Sequence, residues 1–207
     1  MQALVEAAAA PDYPAEIACV ISNRPEAAGL AWAKGRGIAT AVVDHTKYPS
    51  REAFEVELGR ALAGVDLVAC AGFMRLMTKG FVDSWRDRMI NIHPSLLPAF
   101  KGLDTHARAL TAGVKISGCT VHIVRPEVDD GPIIAQAAVP VLDGDTPARL
   151  AARVLAAEHR LYPHALRLYI ETRTVAPAER PPSVDSVNQP TPLFSPPLRP
   201  ADTSTRG

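Results

Sequence analysis

The sequence predicts an α/β fold: an open, largely parallel twisted sheet with helices on both faces. Three observations carry that expectation. Short, nearly continuous apolar runs, such as Glu16–Ser22 (EIACVIS) and Leu67–Ala71, have the texture of strands buried inside a parallel sheet. They alternate with helix-length segments, which is the signature of parallel strands joined by crossover helices. The length of 207 residues, 47% hydrophobic and 21% charged, suits one globular domain with room for an appendage.

In chain order, residues 2–10 (QALVEAAAA) are strong helix formers closed by the Pro11–Pro14 segment. Glu16–Ser22 is the first strand. A helix over 26–36 ends at Gly37, and Ile38–Val43 is the second strand. Ser50 offers an N-cap for a helix over 51–63, in which Ala53, Phe54, Leu58 and Leu62 recur at helical spacing. Leu67–Ala71, closed by Gly72, is the third strand. A short helix around 79–86 leads to the fourth, Met89–Ile92. Beyond about residue 115 the pattern changes. Gly118–Val124 alternates apolar with polar, and Pro132–Val141 follows a turn-rich stretch, which suggests added antiparallel strands. Residues 147–172 make a long final helix that Pro163 is expected to kink.

Eight of the 19 prolines fall in 175–207, among Ser, Thr and Asp and few large apolar residues. Such a segment cannot bury enough surface to offset its ordering entropy. The expected organisation is a domain over 1–174 and a disordered tail over 175–207, a proline-motif ligand being the other reading of the tail.

Lys+Arg and Asp+Glu balance at 22 each, which excludes a basic field for nucleic acid or an anionic membrane while allowing a local anion site. Cys19, Cys70 and Cys119 stand apart from one another, as core hydrophobes in a reducing compartment do. No apolar run nears the roughly 18 residues needed to cross a bilayer. Glu6 and Asp12, with no basic region before an apolar one, do not make a signal peptide. Cytoplasm is the expected location. No GxGxxG, GxxxxGK[S/T] or HExxH occurs.

The densest polar constellation is Asn91-Ile-His93-Pro-Ser-Leu-Leu-Pro98, directly after the fourth strand. The carboxyl ends of strands are where open α/β sheets bind ligands. Asn91 and His93 are two apart, so both project to one side of extended chain. An amide and an imidazole converging there can stabilise charge on a carbonyl oxygen and shuttle a proton. An Asn-x-His step also serves to satisfy backbone groups in a turn. Val128-Asp129-Asp130-Gly131-Pro132 adds two carboxylates in a turn, itself common turn chemistry. A carboxylate brought beside His93 would orient the ring and favour its charged form.

Five segments carry a resemblance: Ala71-Gly-Phe-Met-Arg75, Asn91 to Pro98, Gly102-Leu-Asp-Thr-His106, Gly118-Cys-Thr-Val-His122, and Asp129-Asp-Gly-Pro-Ile133. Their order and spacing resemble the folate-dependent formyltransferase family, in its glycinamide ribonucleotide branch, over residues 1 to about 172. The resemblance implies a Rossmann-like sheet and transfer of a formyl group from 10-formyltetrahydrofolate, as co-substrate, to the amine of 5'-phosphoribosylglycinamide, a step of purine synthesis. It implies Asn91, His93 and Asp129 as the catalytic set, with no metal. Met74, Arg75, Leu76 and Met77, together with Arg125, Pro126, Glu127, Val128 and Asp129, would line the pterin pocket, with Arg51 near the folate and Glu158 on the ribonucleotide. Without the resemblance, Met74, Leu76 and Met77 read equally well as core, and Arg51 and Glu158 as solvated helix charges. The partners implied are these small molecules, for a monomer or homodimer.

The family begins with a strand and a Gly-Ser-Asn-type loop that cradles the substrate phosphate at a helix N-terminus. Met1-Gln2-Ala3-Leu4 resembles the interior of the helix that follows, so this strand and loop are expected to precede Met1 in a longer chain. The rival expectation is a truncated protein. Without that strand, EIACVIS and LVACA each lose pairing. Hydrolysis of formyl-folate and folate binding without catalysis are the alternative functions.

Overall fold

The structure, a computed structural model, describes residues 1–174. The Pro-rich tail expected over 175–207 lies outside the described residues. The elements run α1 (Gln2–Ala8), β1 (Cys19–Ser22), α2 (Ala28–Lys34), β2 (Ala39–Val42), α3 (Arg51–Ala61), β3 (Val68–Cys70), α4 (Lys79–Ser84), β4 (Met89–His93), α5 (Thr105–Thr111), β5 (Ile116–Ile123), β6 (Ile133–Pro140) and α6 (Pro147–Thr174). Each element expected from the sequence forms, most of them trimmed at their ends. Helix α5 and a 3-10 turn at His45–Lys47 were not foreseen.

The strand–helix alternation yields parallel pairs, β1 with β2 and β3 with β4. Past residue 115 the chain adds β5 and β6 antiparallel, giving the mixed order β3-β4-β5-β6. Among the described residues, β1 pairs with β2 alone and β3 with β4 alone, so the strands form two sheets. Burial on both faces, expected of EIACVIS and LVACA, is not reached. Every residue of β1 and β3 is only half-buried, because each strand has one flank without a neighbour.

Two cores flank β4, and consecutive residues of that strand feed them. Ile90 joins Leu4, Ala109, Cys119, Val121, Leu150, Val154 and Tyr162, so α1, α5 and α6 cover one face. Met89 joins Phe54, Leu58, Leu62, Phe81 and Trp85 of α3, α4 and their flanks on the other. The period-2 alternation of a strand makes this division. Caps set the helix starts: Ser50 Oγ accepts from Ala53 N at 3.2 Å, and Thr78 Oγ1 accepts from Phe81 N at 3.2 Å. The buried Glu55 carboxylate is satisfied by Thr78, whose backbone N–H and hydroxyl both donate to it.

Helix α6 continues through Pro163 and fixes β3 and β4 from behind. The Tyr162 hydroxyl donates to Cys70 O at 2.8 Å and lies 3.3 Å from Ile90 O, while the Tyr169 hydroxyl donates to Asp87 O at 2.7 Å. The strand carrying Asn91 and His93 is thereby tied to α6 through carbonyls on the neighbouring β3, on β4 itself and just before it.

Candidate active site

The pleat of β4 sends Asn91 and His93 to one face and Ile90 and Ile92 into the core on the other. Register then decides what they meet. Asn91 stands opposite His122, and His93 opposite Thr120, across the antiparallel β4–β5 ladder. Thr120 is fully buried, and its hydroxyl donates to Ser95 O at 2.7 Å and accepts from Leu97 N at 3.0 Å, stiffening the chain that follows His93.

His93 is buried, with Nε2 3.0 Å from Phe100 O and Nδ1 3.3 Å from Asp129 Oδ2. Both ring nitrogens therefore face acceptors, and only the doubly protonated ring donates to both. Asp129 Oδ2 also accepts from Gly102 N at 2.9 Å, while Oδ1 lies 3.6 Å from His122 Nε2. The carboxylate is thus placed between two imidazoles, those of His93 and His122.

Backbone geometry supports this placement at some cost. Asp129, Phe100 and Asp104 adopt left-handed φ of 50°, 54° and 55°, a conformation that non-glycine residues occupy at a penalty of order 1–3 kcal/mol each. The loops are clasped together: Lys101 pairs with Asp130 beside the Gly102–Asp129 hydrogen bond. Close approach explains Gly131, where a Cβ would fall 1.7 Å from Ile123 O.

His122 lies within the Gly118–His122 segment of the sequence, yet no role was expected for it. Its Nε2 is 3.3 Å from Asn91 Nδ2, and its Nδ1 is 3.1 Å from Ile123 O. Burial lowers its pKa, opposed by the Ile123 carbonyl and Asp129 and reinforced by His93. The available signal was the same-side alternation of Gly118, Thr120 and His122, but only register shows that this row faces Asn91 and His93. His106 on α5 was also unassigned. Its Nδ1 is the buried side-chain atom without a hydrogen-bond partner among the described residues, and burial together with His93 lowers its pKa.

The expected binding residues divide. Met74 and Leu76 are 71% and 60% exposed, so they are not core. Arg75 is exposed too, and Met77 packs half-buried against the α3–α4 core. Arg125 turns its guanidinium to Asp87. Pro126 is half-buried, whereas Glu127 and Val128 are exposed on the same loop. Arg51 is exposed at the first turn of α3. Glu158 is half-buried on α6, not a solvated charge: burial raises its pKa, and the Met1 ammonium draws it back. No group of three or more His, Cys, Asp or Glu able to hold a metal occurs among the described residues, and no helix there is long and apolar enough to cross a membrane.

The profile of the formyl transferase family matches residues 1–166. The chain is 47% identical over 170 residues to the trifunctional purine biosynthetic protein adenosine-3 of Homo sapiens, covering 81% of this chain and 17% of that protein. It is 39% identical over 175 residues to the phosphoribosylglycinamide formyltransferase of Escherichia coli (strain K12), covering 84% of this chain and 82% of the relative. Among solved structures, the phosphoribosylglycinamide formyltransferase from Brucella melitensis is similar with a TM-score of 0.77 at 56% identity, covering 81% of this chain and 87% of that one. The chain thus spans less than a fifth of the length of the trifunctional relative and most of the length of the Escherichia coli formyltransferase.

Proposed function

Because the chain belongs to the formyl transferase family, we propose that it transfers a formyl group from 10-formyltetrahydrofolate to the amine of 5'-phosphoribosylglycinamide, a step in purine biosynthesis. The observation that carries this reading is His93, buried with Nδ1 3.3 Å from the Asp129 carboxylate and sharing one face of β4 with Asn91. Relatives named phosphoribosylglycinamide formyltransferase support the substrates.

In this reading the substrate amine adds to the formyl carbon, a new C–N bond forms, and the carbonyl electron pair moves to oxygen. Asn91 donates an N–H to that oxygen. His93 exchanges its hydrogen bond with Phe100 O for one to the oxygen, donating from Nε2. Asp129 holds the imidazolium at Nδ1 and helps carry the proton lost by the amine to the folate nitrogen, whose bond to carbon then breaks. Met74, Arg75, Leu76 and Met77, and the loop from Arg125 to Asp129, line the pterin side. The exposure of Met74, Leu76 and Val128 favours this over a core role, since apolar side chains on two loops offer cover for a flat ring. Arg51 lies toward the folate and Glu158 toward the ribonucleotide. The same reading has the enzyme acting on small molecules in the cytoplasm, as a monomer or homodimer, from a domain over 1–174.

Formyl transfer followed through folate product absorbance, with and without 5'-phosphoribosylglycinamide, tests this. Turnover that requires the ribonucleotide is expected. Turnover without it would replace the transferase by a hydrolase, and tight folate-analogue binding with no turnover would replace it by a binding protein.

A further inference from the structure

We infer that His122, as the neutral Nδ1–H tautomer, fixes which way the Asn91 side-chain amide faces, and so acts as a positioning residue for the oxyanion donor. The link to rate rests on the formyl-transfer reading; the positioning itself does not.

The two residues are directly paired across β4 and β5, so their side chains leave the sheet side by side on one face. His122 Nδ1 lies 3.1 Å from Ile123 O. A carbonyl oxygen only accepts, so Nδ1 carries the ring proton. In the neutral ring Nε2 then keeps its lone pair and can only accept. The group 3.3 Å away must therefore be the Asn91 NH2 and not its oxygen. The two ends of an amide are nearly equal in shape, and a 180° turn exchanges them. Here the histidine makes the choice. One N–H of Asn91 is held by Nε2, and the second is left for a substrate oxygen.

Protonation reverses the arrangement. A charged ring donates from Nε2, toward Asp129 Oδ1 at 3.6 Å or toward the amide oxygen once the amide has turned over. The donor is then lost from its place. The groups facing His122 set the balance. Asp129, from the β5–β6 loop, favours the charged ring, whereas His93 on β4 opposes it, itself neighboured by His106 on α5. Lys101 and Asp130 close the loop pair beyond them. With the side chain 3% exposed, burial tips the ring to neutral. Positioning, and the rate that depends on it, is present above the pKa of His122, which burial lowers from its ordinary value, and is lost as pH falls through it.

Two substitutions separate the acceptor from the ring. In His122→Gln the Oε1 replaces Nε2 as an acceptor that does not titrate. In His122→Asn the side chain is too short to reach Asn91. The decisive measurement is NMR on the full chain with 15N-labelled histidine and asparagine, from pH 8 downward. We expect His122 as the Nδ1–H tautomer and one hydrogen-bonded proton on the Asn91 amide, kept in His122→Gln and lost in His122→Asn. An Nε2–H tautomer in the unsubstituted protein overturns the inference without need of any variant, as does an Asn91 signal indifferent to His122→Asn. In formyl transfer, His122→Asn is expected to lower kcat at least about tenfold with little change in KM, the scale of one misplaced hydrogen bond. His122→Gln is expected to keep kcat and to lose the acid fall due to His122; equal effects of the two substitutions would overturn the role. Absence of transfer in all three proteins would overturn the transferase reading alone, the tautomer and the amide signal still deciding for or against His122.

Discussion

Asp129→Asn removes a charge while leaving the local hydrogen-bond geometry almost intact, which makes it the sharpest probe of the site. Oδ2 serves both Gly102 N and His93 Nδ1, at 2.9 and 3.3 Å. An asparagine oxygen in that position still accepts from both. Its NH2 then takes the place of Oδ1, 3.6 Å from His122 Nε2, which carries a lone pair in the neutral ring. What is lost is the attraction between carboxylate and imidazolium. At an effective dielectric of about 20, unit charges 3.3 Å apart attract by about 5 kcal/mol. The retained hydrogen bond and the water reaching a side chain 13% exposed leave roughly 3 kcal/mol to be felt when His93 carries its charge in the reaction. At about 1.4 kcal/mol per tenfold, kcat/KM should fall about 10²-fold. The thermal midpoint should move little, since no buried group loses its partner. Formyl transfer by folate product absorbance, beside a melting curve, checks both. A variant within threefold of the unsubstituted rate would refute the coupling of Asp129 to His93.

His93→Ala should lower formyl transfer by at least about 10²-fold, the scale of one acid–base or oxyanion group; near-normal single-turnover rates would remove His93 from the mechanism. Gly131→Ala forces a Cβ to within 1.7 Å of Ile123 O, and Ile123 N is itself tied to Pro132 O at 2.9 Å. A loss of at least about 2 kcal/mol, or roughly 4–8 °C in the thermal midpoint, is expected, and an unchanged melting curve would contradict the close approach. The buried neutral His122 makes a pH prediction. Its folded pKa is lowered below that of the unfolded chain, so the unfolded state takes up a proton first as pH drops. Stability is then full above about pH 6.5 and declines below it until the folded pKa is passed. Denaturant midpoints from pH 7.5 to 5 should show a shallower decline in His122→Gln, and parallel curves would argue that other groups carry the effect.

Much of the fold was legible because its causes are local. Apolar runs and helical periodicity are read within a few residues, and they located each strand and most helices. The Asn91–His93 side of β4 followed from period-2 alternation in the same way. Ser50 as an N-cap needed nothing beyond its neighbours, and its hydroxyl does accept from Ala53 N. Helix α5 was missed because it starts without a side-chain cap, at Asp104 in a left-handed conformation, and spans two turns. Whether Met74 and Leu76 were core or surface was open, since hydrophobicity alone does not say which side of a loop faces water.

The sequence by itself determined which chemical groups are present and that Asn91 and His93 leave β4 together. Tertiary structure alone decided their company. The antiparallel register of β5 sets His122 against Asn91 and Thr120 against His93, and the clasp of Gly102 and Lys101 on Asp129 and Asp130 brings a carboxylate from 36 residues away to within 3.3 Å of the His93 ring. Strand alternation repeats every two residues and is therefore written into any short stretch of chain. Register and loop closure depend on which distant segments share a core, and no local pattern records that.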